Sequence, residues 1–425
     1  MGLLLILGMF LLVFLSMPVA FSLGASSTIV LMYQGKIPLD VIVQRMFAGV
    51  DSFPLMAIPF FILAGSLMET GGISERLIKF ATAMVGKATG GLGLVTVATC
   101  LFFGAVSGSA AATTAAVGAL MIPSMVQRGY HKNFSAATVA SAASLGVIIP
   151  PSIPMVLYGV VSGQSIGTLF IAGIIPGLFI GATLMLVCYF ISKKEGYKGT
   201  EQATRKEKLV AFKDAIWALL MPIIILGGIY GGYFTPTEAA AVAVLYGFIV
   251  SIFIYKEIKL PDLKNVLASA AITTSIIMII LANASLFGWI MARERVPHMV
   301  AEAFTNFSSS PFVYLLLVNI LLLFVGTIFE SSAAIIILTP ILYPIAVQMG
   351  IDPIHFGIVM VVNLAIGYVT PPLGINLFIA CNISKLRIED LVVRLVPFLV
   401  TLIVALLILT YVPQITLFLP HLLGM

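Results

Sequence analysis

The 425-residue chain is 60% hydrophobic and only 9% charged, with a mean hydropathy of +1.15. Soluble domains carry roughly 25% charged residues, so this composition excludes a soluble globular domain, and long apolar runs without alternation exclude a β-barrel. The net charge of +5 lies in loops between apolar segments, where it reports membrane topology rather than affinity for nucleic acid.

Taken in order, apolar segments cover 2–16, 18–33, 53–70, 92–126, 136–162 and 168–191. The first continues past Pro18 without a charged leader, so no cleavable signal is expected. A polar stretch, 192–213, follows, and then six more groups at 214–234, 238–255, 267–291, 311–349, 356–382 and 391–419. Two of them, 92–126 and 311–349, are interrupted at their middle by GAVSGS and GTIFESS. Each is nearly twice the ~20 residues of an ordinary span and suits two half-membrane helices folded into a re-entrant hairpin. Each is followed by a further break, IIPPSIP at 148–154 and VTPPLGI at 369–375.

The two halves run in parallel. Pro18 and Leu63 correspond to Pro236 and Leu281 at an offset of 218, and Pro150 to Pro371 at 221. Duplicated halves, each with an interrupted hairpin and a broken helix, mark a secondary transporter. The expected fold is an all-α polytopic membrane protein: five spans and one re-entrant hairpin per half, about ten transmembrane helices in all, in two inverted repeats. If 192–213 is cytoplasmic, every Lys and Arg except Lys36, Arg45, Arg293 and Arg295 falls in a cytoplasmic loop. That satisfies the positive-inside rule and puts both termini on the outer side, with the first hairpin entering from the cytoplasm and the second from outside.

Broken helices expose carbonyls that suit a small hard cation and amides that suit an anion. The first hairpin tip offers Ser107 and Ser109, faced by the carbonyls of Gly146, Ile149 and Pro151. The second offers Gly326, Glu330, Ser331 and Ser332, faced by Thr370, Pro372, Leu373 and Asn376. Close helix packing through small residues is the plain alternative; four matching breaks in two inverted halves favour ion and substrate sites. Glu330, the one carboxylate in either hairpin, is either functional or a cap holding its turn. Thr235-Pro236-Thr237-Glu238 fits a structural capping box. Arg293-Glu294-Arg295 reads as a solvated or interfacial pair, with docking of a partner as the lesser alternative, and Ser74–Lys87 as an amphipathic helix along the cytoplasmic interface or an arm bracing a scaffold. Cys100, Cys188 and Cys381 lie in apolar segments without CxxC spacing, and His131, His298, His355 and His421 form no ligand pair. Absence of a GxxxxGK[ST] loop disfavours an ATP-driven pump, and absence of HExxH, of paired intramembrane Asp residues and of bis-His haem spacing leaves an intramembrane enzyme without support.

The segments PFFILAGSLMETGG (59–72), FFGAVSGSAAAT (102–113), GGYFTPTEAAAVAVLYG (231–247), ESSAAIIILTPILYPI (330–345) and GIDPIHFGIVMVVNLAIGYVTPPLGINLF (350–378) together carry a family resemblance. The chain resembles the large membrane subunit of a tripartite ATP-independent periplasmic (TRAP) transporter over nearly its whole length. The resemblance implies a non-enzymatic, Na⁺-driven elevator in the bacterial inner membrane. It also implies two partners: a small four-helix membrane subunit, expected as a separate chain, and a periplasmic binding protein delivering an organic acid. Sialic acid, other sugar acids and C4-dicarboxylates are in range, with sialic acid leading on general resemblance. It further implies scaffold parts at 1–91 and 214–310, transport parts at 92–191 and 311–425, and a cytoplasmic linker at 192–213. One Na⁺ site would fall to Ser107, Ser109, Gly146, Ile149 and Pro151, another to Gly326, Thr370 and Leu373. Substrate would sit between the tips, near Pro154, Tyr158, Glu330 and Asn376. A stand-alone Na⁺/anion carrier of the divalent-anion type, without partners, is the competing reading.

Overall fold

The computed structural model describes residues 1–35, 37–307 and 310–425, and its regular elements are all helical. In lipid, a helix satisfies its own backbone polar groups, and among the described residues ten helices are long and apolar enough to span a membrane. Lys36, assigned by charge to the outer side, lies outside the described residues.

The first hairpin pairs Gly91–Ser107 with Ala110–Gln127, and the second pairs Pro311–Ile328 with Ser331–Gln348. The first broken helix comprises Lys132–Ala142, Leu145–Ile148 and Ile153–Ser162; the second comprises Pro353–Gly367 and Ile375–Ser384. Each hairpin packs on its own broken helix, and its second helix also packs on the distal half of the other repeat's broken helix. The four elements therefore form one interlocked hairpin group. The long helices Ile166–Glu195 and Ile388–Tyr411 pack on this hairpin group, whereas the other long helices interlock among themselves: Pro236–Ile249 lies on Ala57–Thr70, and Val19–Gln34 lies on Leu260–Arg293. Each of these last two contacts joins the first half of the chain to the second.

Loops assigned to one side gather at one end. The Tyr130 and Tyr197 rings stack with centroids 4.3 Å apart, Arg394 Nη1 donates to Glu195 Oε1 at 2.7 Å, and Lys87 Nζ donates to Gln202 Oε1 at 2.6 Å. Arg76 Nη2 pairs with Glu257 Oε1 at 3.0 Å. Gln34 Nε2 donates to Glu294 Oε1 at 2.9 Å, and the Met1 ammonium lies 3.9 Å from Glu294 Oε2. The opening pair of helices thus starts and finishes beside the same acid, so Glu294 is not simply solvated.

Three features depart from the expected elements. Asp40–Val50, in the gap between the apolar segments 18–33 and 53–70, is an amphipathic helix. Val296–Phe307 is a second amphipathic helix, the counterpart in the second repeat of Ile73–Val85. The segment 391–419 is not one helix: Ile388–Tyr411 ends before Pro413, which begins Pro413–Leu422, because proline cannot donate to the preceding turn. Thr235 and Glu238 do form the expected capping box, with Glu238 N–H donating to Thr235 Oγ1 at 3.3 Å and Thr235 N–H to Glu238 Oε2 at 2.8 Å.

Candidate functional site

At the first tip, the helix ends on Ser107, turns through Gly108 at φ +60°, and restarts behind Ser109. Ser109 caps the new helix, accepting from Ala112 N–H at 3.3 Å. Three oxygens converge behind the turn. Ser107 Oγ lies 3.2 Å from Thr113 Oγ1, which donates to the Ser109 carbonyl at 2.7 Å, and Ser107 Oγ lies 3.4 Å from that same carbonyl. Gly146 closes the cluster from the broken helix. A Cβ there would lie 2.4 Å from Thr113 Oγ1 and 2.7 Å from the Ser109 carbonyl, so only glycine lets this backbone approach. A Cβ on Gly108 would lie 2.9 Å from the Pro151 carbonyl. Ser107, Ser109, Gly146 and Pro151 are thus brought together. Ile149 packs its side chain toward Gly177, leaving only its backbone on offer. An all-oxygen donor set suits a hard monovalent or divalent cation. Thr113 escaped the sequence reading; its signal is the position four residues past Ser109, on the same face of the first turn.

At the second tip, Glu330 holds the restart. Its Oε2 accepts from the backbone N–H groups of Ser332 and Ala333 at 2.8 and 3.3 Å, and its Oε1 accepts from Ser332 Oγ at 2.9 Å. Tyr368 completes the arrangement: its hydroxyl donates to Glu330 Oε1 at 2.8 Å and accepts from Ser331 N–H at 2.8 Å. Glu330 is therefore a helix cap, and it also borders the central cavity. Ser109 and Glu330 occupy matching cap positions, separated by the same 221 residues as Pro150 and Pro371. Nothing in the sequence alone links Tyr368 to this acid, since the contact crosses from hairpin to broken helix.

Gly326 lies against Gly367, where a Cβ on Gly367 would fall 2.5 Å from Gly326 Cα. Gly374 N–H reaches the Thr327 carbonyl at 3.4 Å, and Thr370 Oγ1 donates to the Ile366 carbonyl at 2.8 Å, keeping its lone pairs for another partner. Gly326 and the turn holding Thr370 are thus adjacent. Leu373 has an exposed side chain and can offer only its carbonyl.

A cavity of about 270 Å³ lies between the tips, bordered by Ser109, Pro154, Glu330, Ser332 and Tyr368, with Thr273 and Ile277 of the long helix Leu260–Arg293 as its far wall. Pro154 and Glu330, both expected near substrate, line it. Tyr158 and Asn376 stand one layer behind. Tyr158 is fully buried, its hydroxyl donating to the Pro353 carbonyl at 2.7 Å, and Asn376 Nδ2 donates to the Ala140 carbonyl at 3.2 Å. Both bonds cross between the repeats. The cavity is polarised: Ala110–Gln127 and Ile153–Ser162 of the first repeat begin at it with serine caps, Ile375–Ser384 of the second begins behind Gly374, and only Ser331–Gln348 begins behind an acid, Glu330. Serine-capped helix starts attract an anion, and the carboxylate repels one.

Comparison with known proteins agrees with this architecture. The sequence model of the family described as "Tripartite ATP-independent periplasmic transporter, DctM component" matches residues 6–415. The isethionate TRAP transporter permease DctMQ of Oleidesulfovibrio alaskensis is 48% identical over 402 residues, covering 94% of this chain and 63% of that protein. The chain therefore spans less than two thirds of that relative's length. The C4-dicarboxylate TRAP large permease DctM of Rhodobacter capsulatus is 43% identical, covering 96% of each chain, and the sialic acid TRAP large permease SiaM of Vibrio cholerae is 42% identical, covering 97% and 96%. The crystal structure of the Alcanivorax borkumensis YdaH transporter shares the fold at TM-score 0.63 and 14% identity, covering 89% of this chain and 87% of that one. With two inverted hairpins meeting at a polarised cavity, a match along nearly its full length and relatives above 40% identity, this chain belongs to the DctM component family of the tripartite ATP-independent periplasmic transporters.

Proposed function

We propose that the chain is the large permease subunit of a Na⁺-coupled transporter importing a compact organic acid handed over by a periplasmic binding protein. The observation that carries this reading is the meeting of both hairpin tips and both broken helices at one cavity against a helix of the other group. The hairpin group is the transport part and the long-helix group the scaffold, and the former slides against the latter as an elevator. Na⁺ as co-substrate binds the oxygens of Ser107, Ser109 and Thr113 with the carbonyls of Gly146, Ile149 and Pro151, and a second Na⁺ binds at Gly326, Thr370 and Leu373. The positive-inside pattern supports cytoplasmic loops at 71–91, 127–135, 192–213, 256–264 and 383–394, with both termini periplasmic.

The cavity also supports a substrate class. Its volume of about 270 Å³ is at the lower edge of the ~300–1,000 Å³ usual for ligand sites, which favours a short acid over a nine-carbon sugar acid. Its polarity favours a single anionic group at the first-repeat helix starts, with an uncharged hydroxyl rather than a second anionic group at the Glu330 end. A hydroxylated two- to four-carbon sulfonate or carboxylate meets both demands, in keeping with the 48%-identical relative named for isethionate.

The test is uptake into proteoliposomes holding this chain with its small subunit and binding protein, under a varied Na⁺ gradient and with isethionate, succinate and N-acetylneuraminate. Uptake should require both Na⁺ and the binding protein, and isethionate should outrun the other two. Uptake by this chain alone would establish the stand-alone carrier instead.

A further inference from the structure

We propose that a charged pocket at the cytoplasmic end of the scaffold binds the headgroup of a zwitterionic aminophospholipid of the inner leaflet. The pocket, about 370 Å³, is enclosed by the amphipathic helix Ile73–Val85, the start of the helix Arg205–Tyr230 and the segment 254–257. Its frame is braced across all three. Arg76 donates to the Gly72 carbonyl at 2.8 Å, pairs with Glu257 at 3.0 Å and stands 3.9 Å over the Tyr255 ring, while Tyr255 Oη donates to the Asp214 carbonyl at 2.8 Å.

Arg76 and Glu257 satisfy each other, but four further charges line the same pocket: Lys79, Lys213, Glu75 and Asp214. Among the described residues none of the four belongs to an ion pair. Two free cations beside two free carboxylates leave the pocket neutral overall while presenting both signs. A phosphate monoester would satisfy only the lysines and leave the carboxylates facing it. A phosphate carrying a primary ammonium satisfies both sets, with the ammonium donating to Glu75 or Asp214.

The rim decides between a lipid and a soluble ligand. Trp217 and Ile254 border the pocket and are 39% and 37% exposed, and Phe212, one residue before Lys213, is 42% exposed. Exposed aromatic and aliphatic side chains beside a charged cytoplasmic pocket form an interfacial belt where acyl chains sit. Occupancy would tie the amphipathic helix to the scaffold at the level of the headgroups.

This inference rests on the topology proposed above, and the experiment separates the two. The chain is purified in detergent with its small subunit, and its melting temperature is titrated with phosphatidylethanolamine, phosphatidylcholine, phosphatidylglycerol, free phosphoethanolamine and inorganic phosphate. Phosphatidylethanolamine should raise the melting temperature at the lowest concentration. Phosphatidylcholine, whose ammonium cannot donate, should need at least fivefold more. Lys79→Ala/Lys213→Ala and Glu75→Gln/Asp214→Asn should each raise the phosphatidylethanolamine requirement at least fivefold, without changing the melting temperature of the lipid-free protein. Equal response to phosphatidylglycerol, a full response to free phosphoethanolamine, or unaltered binding by both double variants overturns the proposal. A cysteine at Lys198 labelled only from outside would overturn the topology alone and move the site to the outer leaflet.

Discussion

Gly146 shows how a single missing side chain creates a site. Its Cα stands where any Cβ would enter the oxygen cluster of Ser109 and Thr113. Gly146→Ala should therefore raise the Na⁺ concentration for half-maximal uptake about tenfold, equivalent to about 1.4 kcal/mol. Gly227→Ala, where a Cβ meets nothing within 4 Å, serves as the control and should leave the Na⁺ dependence unchanged. Thr113→Val removes an oxygen of the cluster at nearly constant volume and, if Na⁺ binds there as proposed, should act in the same direction, measured by the same titration. Glu330 is a cap and a charge at once, and two variants separate these roles. Glu330→Gln keeps one acceptor oxygen for the cap on Ser332 and Ala333, gives up the other and removes the repulsion, so the rate for succinate relative to isethionate should rise severalfold. Tyr368→Phe removes the hydroxyl that joins Ser331 and Glu330 and should raise KM with expression unchanged; an unaltered KM would detach Tyr368 from the site.

Among elements, the broken helices do two jobs that their sequence does not separate. Their breaks carry the oxygen donors, while their flanking turns hold the repeats together. Tyr158 illustrates the second job. Its position near a proline break suggests a substrate contact, yet its ring lies against Gly357 and its hydroxyl is spent on Pro353. Tyr158→Phe removes a hydrogen bond that ties the first repeat to Pro353 of the second, which costs about 0.5–1.5 kcal/mol. It should lower the melting temperature in detergent while leaving KM and the Na⁺ requirement unaltered. Asn376 belongs with it, bridging to Ala140. The break positions, the hairpin interruptions and the capping box at Thr235 were readable from Gly, Pro and Ser placement, because backbone chemistry dictates those residues. Which side chains around a break face the cavity was not readable, because that depends on the partner element from the other half.

At the scale of the whole molecule, the two groups of helices touch along a limited seam. Phe61 of Ala57–Thr70 and Phe170 of the helix Ile166–Glu195 face each other across it, ring centroids 6.0 Å apart. If the hairpin group slides, a short bismaleimide joining Phe61→Cys to Phe170→Cys should abolish uptake. Joining Met68→Cys to Gly247→Cys, both within the long-helix group, should leave it intact. Full activity of the first cross-linked pair would exclude an elevator stroke along this seam. The two amphipathic helices, Ile73–Val85 and Val296–Phe307, bracket the molecule at opposite ends of the repeat symmetry. The second falls in the gap between the apolar segments 267–291 and 311–349, which the sequence reading left unassigned.

By itself the sequence determined that the chain is a helical membrane protein with two inverted halves. Apolar run length, proline and glycine breaks, and the placement of basic residues answer directly to the thickness and charge of a bilayer. Tertiary structure alone decided that Thr113 joins Ser107 and Ser109, that Tyr368 clamps Glu330, and that Tyr158 and Asn376 each donate a hydrogen bond across the repeats. These contacts join residues whose pairing is set by the packing of one repeat on the other. Local propensity carries no record of that packing, whereas the breaks it organises are written in the residues themselves.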